Sequence, residues 1–338
     1  MSDVAKRAGV SITTVSHVVN RTRAVAPQTE KLVLTAMAET GYVSDDVVRS
    51  MRWTGSRTVG LGISAMSNTY FSDVVHSIER SLSQAGYAPL LADTHDEVST
   101  ELRVISDLLS RRVEAIILAP SADPSRALAH ARAQGVPVVL IDRATADDVD
   151  QVVTENVEPT AQLVDHLARS HHRRIAMISG KPGLSTTEER IQGYRLGLQR
   201  NGLRFDKSLL VSGDSTNDGG RLALRQLLGL SAAKPTGVLV GNNRMTIGAM
   251  HAAQEARVKI PGDLALVSFD DFEWADYFRP GLTVIAQPTK YLGEQAVELA
   301  LSRLSDPALP CRRVVMQPRF VHRESCGCES QGRPAHGD

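Results

Sequence analysis

The residues whose types and spacing point most directly to chemistry crowd the amino terminus. Ser11, Ile12, Thr13, Thr14, Ser16, His17 and Asn20 follow Lys6 and Arg7 and remain available outside, while Val4, Ala5, Ala8, Val10, Val15 and Val18 can converge into a miniature core. Two helices packed at a steep angle need close approach at Ala5, a sharp corner at Gly9 and a plug at Val15. A second helix starting at Ser11 would carry its polar side chains into a DNA major groove, where each base pair shows a distinguishable donor and acceptor pattern. Ile12, Thr13 and His17 are the candidate base readers. Ser11, Thr14, Ser16 and Asn20 suit phosphates or caps, because hydroxyls, amides and a helix amino terminus all satisfy phosphate oxygens.

Other motifs carry less. Gly180-Lys181-Pro182-Gly183-Leu184-Ser185-Thr186 lacks the spacing of a phosphate loop, in which glycine directly precedes Lys-Ser/Thr. No nucleophile elbow is present, and His171-His172-Arg173-Arg174 reads as a solvated helix end, so no catalytic residue is assigned and an enzyme is not expected. Cys311, Cys326 and Cys328 lie in the last thirty residues, without further Cys or His at finger spacing; they are expected to be reduced tail thiols, with no metal and no cofactor.

These residues need a scaffold, and the rest of the sequence describes one. At 338 residues the chain suggests two or three folded units, and 42% hydrophobic against 22% charged residues supplies sizeable cores. No apolar run reaches the roughly 18 residues of a spanning helix, and no continuous apolar segment follows the first charges, which reads as a cytoplasmic protein with no membrane partner. Net charge is zero, but residues 1–60 hold eight Lys/Arg against five Asp/Glu, so the head carries +3 and the remainder −3. The head is therefore the polyanion-binding part.

From Val59 onward, nine short runs rich in Val, Ile and Leu alternate with amphipathic stretches that often end at glycine, as at Gly86, Gly135 and Gly202. Runs without in/out alternation are strands buried on both faces, and their alternation with helices predicts α/β architecture with doubly wound parallel sheets. Residues 1–43 contain no such run and predict three short helices, over 3–8, 12–19 and 27–40.

The segment Asp3-Val4-Ala5-Lys6-Arg7-Ala8-Gly9-Val10-Ser11 through Thr14-Val15-Ser16-His17-Val18-Val19-Asn20 resembles the head of the lactose/galactose repressor (LacI/GalR) family of bacterial transcription factors. The resemblance continues in family order through Met37-Ala38-Glu39-Thr40-Gly41-Tyr42, Asn68-Thr69-Tyr70-Phe71, Glu189-Arg190-Ile191-Gln192-Gly193-Tyr194, Ile260-Pro261-Gly262-Asp263-Leu264, Ser268-Phe269-Asp270-Asp271 and Arg323-Glu324-Ser325-Cys326.

The resemblance implies a helix-turn-helix head at 1–43, a hinge at 44–57, and a periplasmic-binding-protein-like core of two Rossmann-like subdomains. The first would comprise 58–153 plus 286–313, the second 154–285 plus 314–328, with a flexible tail at 329–338. Hinge helices of a homodimer would open the minor groove of a palindromic operator, with Met51 as the wedge where relatives usually have Leu, and Arg49 and Arg52 near phosphates. Asp45 and Asp46 add negative charge there and should lower DNA affinity.

The implied effector is a small sugar or sugar derivative in the cleft beyond the strand carboxyl ends. Its candidate contacts are Tyr70, Phe71, Asp142, Arg190, Ser215, Asn242, Asp270 and Trp274. An Arg/Asp pair binding adjacent hydroxyls, with an aromatic face against C–H groups, is the chemistry a sugar needs. The implied mechanism is allosteric repression. The alternatives are a regulator of the same family using a corepressor or protein partner, or a cytoplasmic solute-binding protein without regulatory role.

Overall fold

The computed structural model describes residues 2–20, 25–40, 55–64, 68–146, 148–230 and 234–328. The chain divides into two compact units, Met1–Thr58 and Val59–Asp338.

In the first unit, α1 (Ser2–Ala8), α2 (Ile12–Asn20) and α3 (Pro27–Thr40) form the helical head. Gly9 turns the chain at φ +67, where a side chain is disfavoured, and the Val10 N–H closes α1 by donating to Ala5 O at 3.1 Å. Ser11 then starts α2: its Oγ accepts from the Thr14 N–H at 3.0 Å. Val4, Ala5, Val15, Val18, Val33 and Ala36 are buried together, one small core fed by all three helices.

The second unit holds two six-stranded sheets. Its first sheet uses β1 (Thr58–Ile63), β2 (Ala88–Asp93), β3 (Ala115–Leu118), β4 (Val138–Asp142), β5 (Asp150–Thr154) and, late in the chain, β11 (Arg313–Met316). The order is β11-β5-β4-β3-β1-β2, and the β1/β3, β3/β4, β4/β5 and β5/β11 ladders are parallel. Helices α4 (Thr69–Gln84), α5 (Val98–Ser110) and α6 (Ser125–Ala133) connect these strands.

The second sheet is built from β6 (Ile175–Ser179), β7 (Leu210–Ser212), β8 (Gly237–Val240), β9 (Ala265–Phe269), β10 (Thr283–Ala286) and β12 (Arg319–Val321), in the order β12-β10-β9-β8-β6-β7. Only β12 runs antiparallel, against β10. The associated helices are α7 (Val157–Arg169), α8 (Ser185–Arg200), α9 (Asn217–Leu228) and α10 (Asn243–Glu255). Helix α11 (Thr289–Ser305) follows β10 but returns to pack on α4 and the first sheet.

The chain thus passes between the sheets after β5, after β10 and after β11. The last passage moves the subdomain boundary expected at 313/314 to the end of β11. β11 pairs with β5 over Arg313–Met316, so the first subdomain keeps residues that the sequence assigned to the second. Only four residues long and opening on Arg313, the strand is too short to stand out as an apolar run.

Burial on both faces explains the apolar runs elsewhere. Val59, Leu61 and Ile63 of β1 pack with α4 and α11 in one core, while Ile116, Leu118 and Leu140 face the other way toward α5 and α6. The second sheet is clad likewise, by α9 and α10 on one face and by α7 and α8 on the other. Stacking rigid layers this way fixes the strand ends, and the strand ends carry the candidate site.

Candidate functional site

On the head, Ser11 and Thr13 are exposed at the start of α2, and Ile12 is 54% exposed although it is a large aliphatic residue. An outward Ile next to hydroxyls matches a thymine methyl beside polar base edges. The Ser11 and Thr14 hydroxyls share a hydrogen bond at 2.8 Å, while Ser16 and His17 are half-buried. Val15 and Val18 beneath them fix the helix through the head core. The side chain of Asn20, and Arg49, Met51 and Arg52, lie outside the described residues.

In the second unit, a cavity of about 520 Å³ lies between the carboxyl ends of the two sheets. Among its lining are Tyr70, Phe71, Asp142, Arg190, Ser215, Asn242 and Asp270, seven of the eight expected contacts.

The wall on the first sheet begins with Asn68, whose Oδ1 accepts from the Tyr70 N–H at 3.1 Å and so caps α4, placing Tyr70 and Phe71 in its first turn. The Tyr70 hydroxyl donates to Asp142 Oδ1 at 2.7 Å, and Asp142 leaves β4 with φ +71. Burial first, and then the Asp142 carboxylate, pushes the Tyr70 phenol well above its ordinary pKa. Arg143, next in sequence, faces Asp142 Oδ2 at 3.4 Å, pairs with Asp96, and donates to Pro120 O at 2.9 Å. Burial alone would lower the Arg143 pKa, but Asp96 and Asp142 outweigh it and hold it up. Burial likewise opposes the Asp96 charge, and Arg143 overrides this, holding the Asp96 carboxyl below its ordinary range.

The wall on the second sheet centres on Arg190. Its Nε donates to Asn156 Oδ1 at 2.9 Å, its Nη1 donates to Gly241 O at 2.6 Å, and the guanidinium lies 3.8 Å from the Phe269 ring centroid. Asp270 follows β9 at φ +70 and is 3% exposed. Its Oδ1 is 3.9 Å from Arg190 Nη2, too long for a hydrogen bond, and accepts from Gln287 Nε2 at 2.6 Å. Burial raises the Asp270 pKa despite the attraction of Arg190. Gln287 Oε1 also lines this wall, buried and with no hydrogen-bond partner among the described residues. An acceptor left so is costly, and a ligand hydroxyl would satisfy it.

Direct hydrogen bonds join the walls. Asn243 Nδ2 donates to Asn68 Oδ1 at 2.7 Å and to Thr69 Oγ1 at 3.0 Å, and Lys181 Nζ donates to Asp96 O at 3.0 Å. Ser215, at φ +55, accepts at Oγ from the Lys181 N–H at 2.9 Å. A side chain at Gly180 would lie 2.8 Å from that Oγ, so the small residue lets this turn approach the cleft. Asn242 Oδ1 caps α10 by accepting from the Met245 N–H at 2.8 Å.

Trp274 requires correction. It does not line the cavity; it is 49% exposed and meets Phe272 edge-on at 6.1 Å. It lies on the stretch between β9 and β10, outside the cavity lining. The sequence reading also missed Arg143, Gln287 and Lys181. For the first, the signal was present: two adjacent charges, Asp142-Arg143, directly after a buried strand.

Both parts of this arrangement have known counterparts. Residues 1–45 match the model for bacterial regulatory proteins of the lacI family, and residues 164–326 match a periplasmic binding protein-like domain. The ribose operon repressor of Escherichia coli (strain K12) is 33% identical over 96% of this chain and 99% of its own length. The chain belongs to the LacI family. As a LacI-family protein it is a DNA-binding transcriptional regulator and not an enzyme. The repressor PurR of Shigella dysenteriae is 31% identical over 96% of each chain. Among solved structures, the lac repressor dimer bound to operator and the anti-inducer ONPF superposes with a TM-score of 0.82 at 27% identity, covering 96% of this chain and 98% of that one. A LacI-family regulator from Enterococcus faecium with bound ribose gives 0.72 at 25% identity, covering 79% and 98%.

Proposed function

We propose that this LacI-family protein is a cytoplasmic homodimeric repressor of carbohydrate-utilisation genes. It holds a palindromic operator with the heads of its two protomers and releases it when a small sugar or sugar derivative fills the cleft. The observation that carries the effector reading is the second wall: a buried Arg190/Asp270 pair, spaced beyond hydrogen-bond contact, beside the unpartnered Gln287 Oε1. Vicinal hydroxyls can donate to Asp270 and Gln287 and accept from Arg190 at once. Phe71 and Tyr70 supply apolar ring surface opposite. Two similar proteins, a ribose operon repressor and a regulator solved with ribose, support a sugar of this size.

In this reading residues 1–43 bind DNA, 44–57 form the hinge, and the core couples the two ligands. Ile12, Thr13 and His17 read bases, and Ser11, Thr14, Ser16 and Asn20 hold phosphates. Arg49 and Arg52 follow the backbone while Met51 wedges the minor groove. A sugar bound across both walls biases the Asn243/Asn68 and Lys181/Asp96 bridges. Operator affinity then changes by reciprocal coupling.

The test begins with sheared genomic DNA from the source organism: the purified protein should retain one palindrome with two half-sites. That duplex, titrated with pentoses, hexoses and purines, should be released by one sugar. Release by none, or binding strengthened by a purine, would replace sugar induction with the corepressor or protein-partner reading.

A further inference from the structure

A second cluster of chemically capable side chains lies outside the cleft. His166 projects from α7, His322 follows β12, and Cys326 and Cys328 occupy the turn that ends the described chain. These residues are separated by up to 162 positions, yet one ligand atom from each falls within 4.8 Å of all the others. His322 Nε2 is 2.9 Å from Cys328 Sγ and 3.3 Å from Cys326 Sγ; His166 Nε2 is 3.3 Å from Cys328 Sγ; the two sulfurs are 3.0 Å apart. All three cysteines of the chain are free thiols.

We propose that His166, His322, Cys326 and Cys328 form a tetrahedral site for one divalent d-block cation, with zinc the best match to two imidazoles and two thiolates. Zn–S bonds of about 2.3 Å and Zn–N bonds of about 2.0–2.1 Å give tetrahedral edges of about 3.8 Å between sulfurs and about 3.5 Å between sulfur and nitrogen. The four shortest approaches, 2.9–3.3 Å, fall short of those edges by about 0.2–0.8 Å, so these atoms move apart slightly to admit the ion. Thiol–imidazole hydrogen bonds account for the 3.3 Å contacts, but the 3.0 Å approach of the two sulfurs is closer than ordinary packing, in which even carbon atoms rest at about 3.5–4.0 Å.

The surroundings suit a metal site. Phe320 lies 5.1 Å from the His166 ring and stacks with His322, so both imidazoles are oriented by one apolar ring. Cys326 is fully buried, while His322 is exposed and Cys328 half-buried, which leaves a path from solvent. The cation would fasten 322–328 to α7. The same segment carries Ser325, whose hydroxyl accepts from the Thr283 N–H at 2.9 Å at the start of β10, and Arg323, which pairs with Asp271 beside the cleft residue Asp270 at 3.0 Å. Metal loss would therefore loosen the brace behind the Asp270 loop.

The full-length protein, stripped by chelator under reductant, is titrated with Co²⁺ alone. One equivalent should produce the intense visible bands of tetrahedral cobalt with thiolate charge transfer, and Zn²⁺ should erase them. Cys328→Ser and His322→Gln should each weaken cobalt binding by at least about a hundredfold, beyond the 10–100-fold typical of outer-shell changes, while a thermal melt shows that each still folds. A reduced chain that takes up no cobalt, or shows only weak octahedral bands, overturns the proposal. Unchanged cobalt spectra in both variants overturn it as well, as does a Cys326–Cys328 disulfide forming on air exposure in a chain that never bound cobalt.

Discussion

The two walls of the cleft are built on sheets of the same strand plan, and each presents a buried arginine beside an aspartate, yet they are finished differently. On the first wall Arg143 is enclosed by Asp96, Asp142, Pro120 O and Ser64, and Tyr70 closes over Asp142. Most of its polar atoms are met internally; Arg143 Nε, 3.4 Å from Asp142 Oδ2, is the exception, with no hydrogen-bond partner among the described residues. On the second wall Arg190 and Asp270 stand 3.9 Å apart, the Asp270 carboxyl is raised by burial, and Gln287 Oε1 has no partner among the described residues. A buried polar set that is satisfied holds structure, whereas one left incomplete is a binding site waiting for donors. The comparison therefore makes the first wall mainly a brace with an apolar ring surface, and the second the main source of polar recognition.

The largest expected effect breaks the first wall. Arg143→Ala leaves Asp96 and Asp142 buried without their cation, which should cost about 3–5 kcal/mol of stability; a denaturant titration that finds less than about 1 kcal/mol would mean solvent reaches this network. Next, Gln287→Leu removes the unpartnered acceptor and the anchor of Asp270. It should weaken effector binding by roughly 1.5–3 kcal/mol, the worth of hydrogen bonds to charged groups, and, by taking the donor from buried Asp270, lower the melting temperature as well. Calorimetry reads both at once, and an unchanged affinity would take Gln287 out of the site.

A smaller effect sharpens the contrast, because pH should act on the walls with opposite sign. Asp96 is held below its ordinary 3.8, so it stabilises the fold above that pH and the contribution is lost as pH falls through the depressed value. Asp270 is raised above 3.8, so its contribution is full below that pH and lost as pH rises through the elevated value. Asp96→Asn should be less stable than the parent at neutral pH and converge with it in acid. Asp270→Asn should gain on the parent as pH rises. Melting curves of the three proteins across this range check the signs, and parallel curves would remove the difference between the walls.

Much of this was legible in the residues. The head was written in short range: Gly9 at the corner, Ser11 at the cap and valines at the core positions lie within twenty residues. Strands buried on both faces betray themselves as apolar runs, and cleft residues follow from what stands at their ends, as with Asp142, Asn242 and Asp270. Strands that join the two subdomains did not stand out, because β11 and β12 are only four and three residues long, open on an exposed arginine and are never fully buried. Pairings at long range were equally invisible. Gln287 meets Asp270 across a loop, and His166 meets Cys328 from a helix far upstream, where no spacing rule applies. Trp274 was misplaced because nearness to Asp270 in sequence did not carry it into the cavity lining; its ring meets Phe272 instead.

The most direct test of the division between reading and holding is operator binding by Asp270→Ala, measured with and without the effector beside the parent protein. The parent's operator affinity should shift on the order of 5- to 150-fold, the usual range of allosteric coupling. The variant should hold the operator as tightly as the parent and show no shift at all. A variant that still responds to the effector, or one that keeps its fold but loses the operator, would contradict the account.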